Sequence, residues 1–248
     1  MKIHIPIFMF LILLSCSEKN PDWDQALKDN SVEGYTAFLK KYPNGKFAAK
    51  ANKKIAELTG NIIWDNNKKG YFIDIRDNQK YKVVKIGEQI WMAENLNYKS
   101  ENSWCFNNDT TNCTEYGRLY DWKTAQEVCP NDWRLPIKAE YKELLDCIGG
   151  NTEKKCKALL PGGSTGFSYK SLGHRIIEED KFKYVKGVGH PTISKFISTA
   201  NGFYWTSSAK DNENAYFLLI NGLDNISIVY SDKRWGLAVR CIYDKADN

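Results

Sequence analysis

The sequence contains little that could bind a metal ion or carry a common catalytic reaction. It has three histidines in 248 residues, and no two cysteines have the C-x-x-C spacing of zinc sites. It also lacks an H-E-x-x-H motif and a phosphate-binding loop. The formal net charge is only +5, with both signs interspersed along the chain. We therefore expect neither a cofactor nor nucleic-acid binding.

Long apolar runs are also missing, except for a short one at the start. Lys2 precedes about twelve mostly apolar positions that end at Leu14, whereas a membrane-spanning helix needs about twenty. That length is typical of a secretory signal peptide. The segment Leu13–Cys16 resembles the lipobox of bacterial lipoproteins, in which cleavage precedes a cysteine whose thiol carries diacylglycerol. The alternative is an ordinary signal peptide with a cysteine at its cleavage site.

We therefore predict a signal peptide over residues 1–15 and a lipidated Cys16 with a polar tether over residues 16–21. The acyl chains, palmitate among them, would hold the protein at a lipid bilayer. Ser17, rather than an aspartate, follows the anchor, which favours the outer membrane under the sorting rule of Gram-negative bacteria. The predicted location is the cell envelope, facing either the periplasm or the outside.

Seven cysteines are an odd number for an exported protein. With Cys16 assigned to lipid, six remain, and an oxidising compartment favours three disulfides among many possible pairings. The pairs that lie close in sequence are Cys105 with Cys113 and Cys147 with Cys156. The remaining two, Cys129 and Cys241, would close a long loop, which adds about 4–5 kcal/mol of stability on the chain-entropy account.

Residues 22–59 have helical periodicity and are predicted to form a helical hairpin. Ser31 is a fitting helix start, and the turn Tyr42–Gly45 ends a helix because proline cannot continue it. The pattern from Tyr35 to Gly45 resembles a tetratricopeptide unit, but it occurs once, and a lone repeat builds no binding groove. A spacer or cap is favoured over a peptide-binding unit.

Residues 60–244 are predicted to form one α+β domain, because alternating apolar strands precede and follow two helical segments. The expected strands are Tyr71–Ile75, Tyr81–Ile86, Gln89–Met92, Phe203–Thr206, Ala215–Ile220, Ile226–Tyr230 and Leu237–Tyr243. The expected helices are Arg118–Val128 and Lys138–Ile148. Residues 149–202 are expected to be largely irregular.

Several motifs in this domain match a known family. They are Asp74-Ile75-Arg76-Asp77, Val84-Lys85-Ile86-Gly87, Ile90-Trp91-Met92-Ala93-Glu94-Asn95-Leu96-Asn97-Tyr98, Tyr116-Gly117-Arg118-Leu119-Tyr120-Asp121-Trp122, Cys129-Pro130-x-x-Trp133-Arg134-Leu135-Pro136, Tyr204-Trp205-Thr206-Ser207-Ser208 and Val239-Arg240-Cys241. In this order they resemble the Fibrobacter succinogenes major paralogous domain. That family is similar in turn to C-type-lectin-like folds, with two helices flanking twisted antiparallel sheets.

The resemblance implies a disulfide between Cys129, at the end of the first helix, and Cys241, on the final strand. It also implies that the tryptophans at 91, 122, 133 and 205 pack in the core. The Glu-Pro-Asn, Gln-Pro-Asp and Trp-Asn-Asp triplets that hold calcium in sugar-binding lectins are absent. Calcium binding is therefore not expected. The reactive cysteine pair of the related formylglycine-generating enzymes also has no counterpart here.

One segment matches a catalytic motif by letters alone. Gly162–Gly166 spells G-x-S-x-G, the nucleophile elbow of hydrolases, which requires a strand before it and a helix after it. Leu159–Pro161 precedes it and an irregular stretch follows, so a glycine loop is favoured. His174 and His190 lie in the irregular region, where a histidine is more often solvated or bonded to backbone. We expect no enzymatic activity.

In phage receptor-binding relatives, the residues between the W-x-S-S strand and the final R-C strand form the ligand face. The matching segment here is Ser207–Trp235, and a solvated loop surface is the alternative interpretation. The candidate ligand residues are Asp211, Asn212, Asn214, Asp224, Asn225, Tyr230, Arg234 and Trp235. The predicted function is binding of a glycan or of an envelope or extracellular protein. The alternative is a structural or assembly component of the envelope.

Overall fold

The computed structural model describes residues 20–170, 173–178, 181–185, 201–222 and 225–244. The predicted export segment and Cys16 lie outside these residues, as do His190 and Asp224. Within the described ranges, no helix has both the length and the hydropathy needed to cross a bilayer. The chain divides into two compact units, with the boundary between Ile55 and Ala56. Each unit is described below by itself.

The first unit contains three helical segments where a two-helix hairpin was predicted. They are α1 (Pro21–Asp29), α2 (Val32–Lys41) and α3 (Ala48–Thr59), whose last turn crosses the boundary. The extra break arises at Asn30, which takes a left-handed conformation with φ 42° and ends α1. Ser31 then caps α2 by accepting the backbone N–H of Gly34 at 3.0 Å, as predicted. Trp23 stacks on Phe47 with ring centroids 5.1 Å apart.

The second unit is α+β, as predicted, and is built on two six-stranded sheets. One has the strand order β1-β2-β3-β4-β14-β7 and the other the order β12-β11-β10-β13-β6-β5; β8 and β9 pair as a separate hairpin. The strands are β1 (Ile63–Trp64), β2 (Lys69–Asp74), β3 (Gln79–Ile86), β4 (Gln89–Met92), β5 (Ser103–Trp104), β6 (Leu119–Tyr120), β7 (Trp133–Arg134), β8 (His174–Glu178), β9 (Lys181–Val185), β10 (Asn201–Ala209), β11 (Asn214–Asn221), β12 (Asn225–Asp232), β13 (Leu237–Ala238) and β14 (Ile242–Tyr243).

Four α-helices accompany these strands: α4 (Thr110–Tyr116), α5 (Trp122–Glu127), α6 (Lys138–Ile148) and α7 (Thr152–Leu159), with a 3₁₀ helix at Phe106–Asn108. Helix α6 has the predicted bounds. The predicted helix at Arg118 begins instead at Trp122, because Leu119 pairs with Ala238 in a sheet and Asp121 caps the helix. Helix α7 lies in the stretch expected to be irregular, and Asn151 caps it.

The last predicted strand is in fact two strands in different sheets. β13 pairs with β6 and β10, whereas β14 pairs with β4 and β7. Val239–Cys241 form the link between them. The chain leaves one sheet and enters the other within three residues, so this link fixes the two sheets to each other.

Among the described residues, two large apolar clusters each take side chains from both sheets, and a smaller one joins Phe106 and Leu119. Tyr204 and Trp205 are neighbours on β10 but belong to different clusters, because successive strand residues point to opposite faces. Three of the tryptophans expected in the core, at positions 91, 133 and 205, are buried, and Trp122 is partly buried against the first cluster. Both faces of β10 are therefore covered.

Two of the three predicted disulfides are confirmed, Cys105–Cys113 and Cys129–Cys241. The third is wrong, because Cys147 and Cys156 are both thiols. Cys147 is exposed at the end of α6 beside Gly87, whereas Cys156 is buried on α7 within the second core cluster. The two sulfurs face different surroundings, so closeness in sequence was misleading here.

Candidate functional site

The motif residue Arg240 is a structural centre of the domain. Its side chain is fully buried and lies over the rings of Phe167 and Tyr204, at 4.6 and 5.4 Å from the centroids. The guanidinium donates to Asn95 Oδ1 and to the carbonyl oxygens of Met92, Phe167 and Ser168. Burial lowers its pKa, and the nearby Tyr204, Tyr141 and Glu94 oppose that shift only in part. This arginine ties together three separate chain segments.

Two carboxylates, Asp74 of a family motif and Glu140 of α6, form ion pairs with motif arginines. Buried Asp74 accepts two hydrogen bonds from the guanidinium of Arg76, at 2.9 and 2.6 Å, and one from its backbone N–H at 3.1 Å. The Arg76 guanidinium also donates to the carbonyl of Val128. Both Nη atoms of Arg134 donate hydrogen bonds to the carboxylate of Glu140 in α6, at 2.8 and 2.6 Å. The hydrogen bonds that Arg134 donates to Glu140 contribute most to raising the pKa of Arg134. The motifs that carry the family resemblance therefore build the fold.

The structure separates the predicted ligand residues into two groups along the hairpin β11–β12. Asn225 pairs with Asn221 at one end, whereas Asp232 pairs with Asn214 at the other. Asn225 and Asp232 are seven residues apart on β12, so at about 3.3 Å per residue the two ends of the hairpin are separated by about 23 Å. Asp211, Asn212 and Tyr230 belong to the second end. Asn225 is thus too distant to share one small ligand with them.

At that second end, Asp211 holds the turn between β10 and β11 rigid. Its carboxylate accepts the backbone N–H groups of Glu213 and Asn214, at 2.9 and 2.7 Å, and the Asn214 amide at 3.0 Å. The backbone bond from Asn214 contributes most to lowering the pKa of Asp211. Lys233 donates to the carbonyls of Asp211 and Asn212. The turn is therefore preorganised.

Beside this turn, two tyrosines and two lysines form a surface that we call the hairpin-end patch: Lys138, Lys210, Tyr216 and Tyr230. Tyr230 is 51 % exposed, and its ring meets that of Tyr216 edge-on at 6.2 Å. Lys210 Nζ lies 3.2 Å from the Tyr230 centroid, and Lys138 Nζ lies 4.2 Å from that of Tyr216. These cation–π contacts hold the lysines above the exposed ring of Tyr230 and the half-buried ring of Tyr216.

Sequence reasoning found Tyr230 but missed Lys138 and Tyr216. Alternation along β11 places Tyr216 opposite Tyr230, a pairing that depends on the strand register. Lys138 is the first residue of α6. Its backbone N–H donates to Ser208 Oγ at 3.1 Å, and this hydrogen bond fixes the start of the helix beside β10. No local signal in the sequence brings these residues together.

Arg234 and Trp235 both make contacts within the domain, which gives each of them a structural role. Arg234 forms a close ion pair with Asp232 at 2.6 Å. Trp235 packs against the first core cluster, and its ring lies 5.4 Å from that of His174. Replacing Trp235 would therefore disturb packing as well as any ligand contact.

His174 itself is buried between two aromatic rings, rather than solvated in a loop as expected. Its ring lies 4.2 Å from that of Phe203, and its Nδ1 atom has no hydrogen-bond partner among the described residues. Burial lowers its pKa from 6.5 to about 4. The folded domain thus favours the neutral imidazole.

We expect this burial to make folding sensitive to acid. Because the folded-state pKa is depressed, the full stabilisation is present above pH 6.5 and is lost as the pH falls to about 4. The loss attributable to His174 is about 3 kcal/mol. Urea denaturation at several pH values measures it, with His174→Phe as the control that removes the titrating group. Equal pH slopes for both proteins would contradict this assignment.

The G-x-S-x-G segment does not have the setting of a nucleophile elbow. It follows helix α7 rather than a strand, and Thr165 Oγ1 donates back to the carbonyl of Ala158 at 2.6 Å. Residues 167–170 after it form no helix. In the described part of the chain, no group of three or more His, Cys, Asp and Glu side chains is arranged to hold a metal ion.

In a comparison with protein families, residues 84–243 match the Fibrobacter succinogenes major domain. The chain belongs to this family. The matched range of the Fibrobacter succinogenes major domain begins within β3 and ends with β14, so it contains both disulfides, Arg240 and the hairpin-end patch. Comparisons with curated proteins and with solved structures give no match.

Proposed function

We propose that this protein is a lipid-anchored envelope protein whose major domain binds a glycan or an envelope or extracellular protein. The anchor would be Cys16, and the domain would have a C-type-lectin-like fold. The lipobox-like segment, the two disulfides and the helices α5 and α6 beside the two six-stranded sheets support this proposal. Disulfides favour an oxidising compartment outside the cytoplasm.

The observation that carries the binding proposal is the hairpin-end patch. Tyr230 is one of the few large exposed apolar side chains among the described residues, and it stands beside a preorganised turn. Lys210 lies over one face of the Tyr230 ring, and the exposed remainder of the ring offers apolar surface for the C–H groups of a sugar or for a protein side chain. The adjacent lysines offer donors for hydroxyl or carboxylate groups. A rigid site loses little conformational entropy on binding.

We expect Tyr230→Ala to weaken binding about tenfold, the effect of losing a well-packed aromatic contact. A screen of immobilised glycans and envelope fractions with the purified full-length chain identifies the ligand, and titration then measures the affinity. Lys210→Ala should weaken binding to a smaller extent. Both side chains are exposed, so the melting temperature should hardly change.

The matched control is Asn225→Ala, at the opposite end of the same hairpin. It should leave the affinity unchanged. Equal binding by the Tyr230→Ala protein and the Asn225→Ala protein would show that the hairpin-end patch is not the ligand site.

A further inference from the structure

Eight lysines line two adjoining grooves on another part of the major domain. The first groove has a volume of about 890 Å³ and is bordered by Lys68, Lys69, Lys85, Lys154 and Lys157. The second has a volume of about 500 Å³ and is bordered by Lys69, Lys80, Lys82 and Lys170. Lys69 belongs to both, so the two are neighbours, and we call them together the lysine grooves. Each volume is in the range of about 300–1,000 Å³ that is typical of ligand sites.

The strand register explains how these lysines meet. Lys69 pairs with Val84, and two residues further along β2, Tyr71 pairs with Lys82. Lys69, Lys80 and Lys82 therefore share one face of the β2–β3 hairpin. Helix α7 then contributes Lys154 and Lys157, which lie one turn apart on the same helical face.

The grooves carry a large positive excess. Only three carboxylates border them, those of Asp65, Glu88 and Glu94, so the excess is five charges. The formal net charge of the whole chain is +5. Glu88 pairs with Lys85 at 3.0 Å, and Lys157 pairs with Glu153 outside the grooves.

Like charges placed together repel one another and lower the stability of the folded domain. The three lining carboxylates and Glu153 offset part of this repulsion, and five more lysines than carboxylates border the grooves. A bound polyanion would neutralise several lysines at once, and a cleft lined by one sign of charge attracts such a ligand from solution.

Residues 162–166, which we call the glycine ridge, border both grooves. Ser164 and Thr165 border the first groove, whereas Gly162, Gly163 and Gly166 border the second. A Cβ on Gly163 would lie 2.4 Å from the carbonyl oxygen of Ala158, so this position requires glycine. Because glycine has no side chain, Gly162, Gly163 and Gly166 add little bulk where the two grooves adjoin.

We propose that the lysine grooves bind an anionic polysaccharide, one whose sugars carry carboxylate, sulfate or phosphate groups. This site is separate from the hairpin-end patch and shares no residue with it. The chemistry favours a polysaccharide over single-stranded nucleic acid, which needs exposed aromatic rings for base stacking. Among the described lining residues, Tyr71 is the one aromatic side chain; it is buried, and Lys80 Nζ covers its ring at 3.5 Å.

The test measures binding of the purified full-length chain to dextran sulfate and to polygalacturonate, with neutral dextran for comparison. Lys69→Glu combined with Lys154→Glu should weaken binding to at least one of the two polyanions about tenfold or more. The matched control is Lys99→Glu combined with Lys123→Glu, which changes the net charge equally outside the grooves. Raising sodium chloride from about 50 mM to about 300 mM should weaken wild-type binding strongly.

Thermal melts establish that both double variants are folded. Equal affinities of the two double variants, or equal binding to neutral dextran, would overturn the proposal. Tighter groove-dependent binding to phosphatidylglycerol vesicles or to single-stranded DNA would also overturn it, because the grooves would then serve a lipid surface or a nucleic acid. Tyr230→Ala should leave polyanion binding unchanged, so the proposals for the lysine grooves and for the hairpin-end patch are tested independently.

Discussion

Replacing Cys129 and Cys241 together by alanine should lower the free energy of unfolding by about 5 kcal/mol. This disulfide joins residues 112 positions apart, and breaking it gives the unfolded chain a much larger number of conformations. Cys241 is also fully buried in the first core cluster and is the last residue of the link between the two sheets. A small domain with this loss would be close to unfolding at 37 °C.

The second disulfide provides the matched control. Cys105 and Cys113 are only 8 positions apart, so replacing both by alanine should cost about half as much. Guanidinium denaturation without reductant measures the two losses under the same conditions. Equal losses would show that loop length in the unfolded chain is not the source of the stabilisation.

Arg240→Met should lower the free energy of unfolding by about 3–5 kcal/mol. Methionine fills a similar space but donates no hydrogen bond, so the carbonyls of Met92, Phe167 and Ser168 lose a buried donor. Asn95 Oδ1 loses its contact as well. The segment after the glycine ridge should also open locally, which hydrogen exchange at residues 166–170 would detect.

Arg234→Met is the control for this change, because it removes an arginine with a close carboxylate partner from an exposed position. An exposed ion pair contributes less than about 1 kcal/mol. If Arg240→Met costs no more than Arg234→Met, the buried guanidinium is not the centre that ties the chain segments together.

Local features of the fold were predictable where neighbouring residues encode them. Helix α6 has the predicted bounds because apolar spacing and the following glycine define it. The strands from β2 to β4 and from β10 to β12 were found by alternation; β4 has the predicted bounds, whereas β2 begins two residues earlier and ends one residue earlier than predicted. The family motifs were recognisable because each holds a fixed local geometry, such as the cap from Asp121 to α5.

The errors have a common physical cause. Leu119 has helical spacing from Trp122, but pairing with β13 places it in a sheet. Leu237–Tyr243 alternates like one strand, yet the link at Arg240 divides it between two sheets. Cys147 and Cys156 are near each other in sequence, but the packing of α7 buries one sulfur and leaves the other exposed. In each case tertiary contacts outweighed the local pattern.

The sequence by itself determined the family, the α+β class and the long-range cysteine pair, since each rests on residue types at fixed positions in the chain. Only the tertiary structure decided where charge and aromatic surface collect. The lysines are interspersed in the sequence, and strand register together with the packing of α7 gathers eight of them around two grooves. Tyr216, Tyr230 and Lys138 likewise meet only because β12 pairs with β11 and α6 begins beside β10. Binding surfaces of this kind depend on distances between segments, which a one-dimensional pattern does not contain.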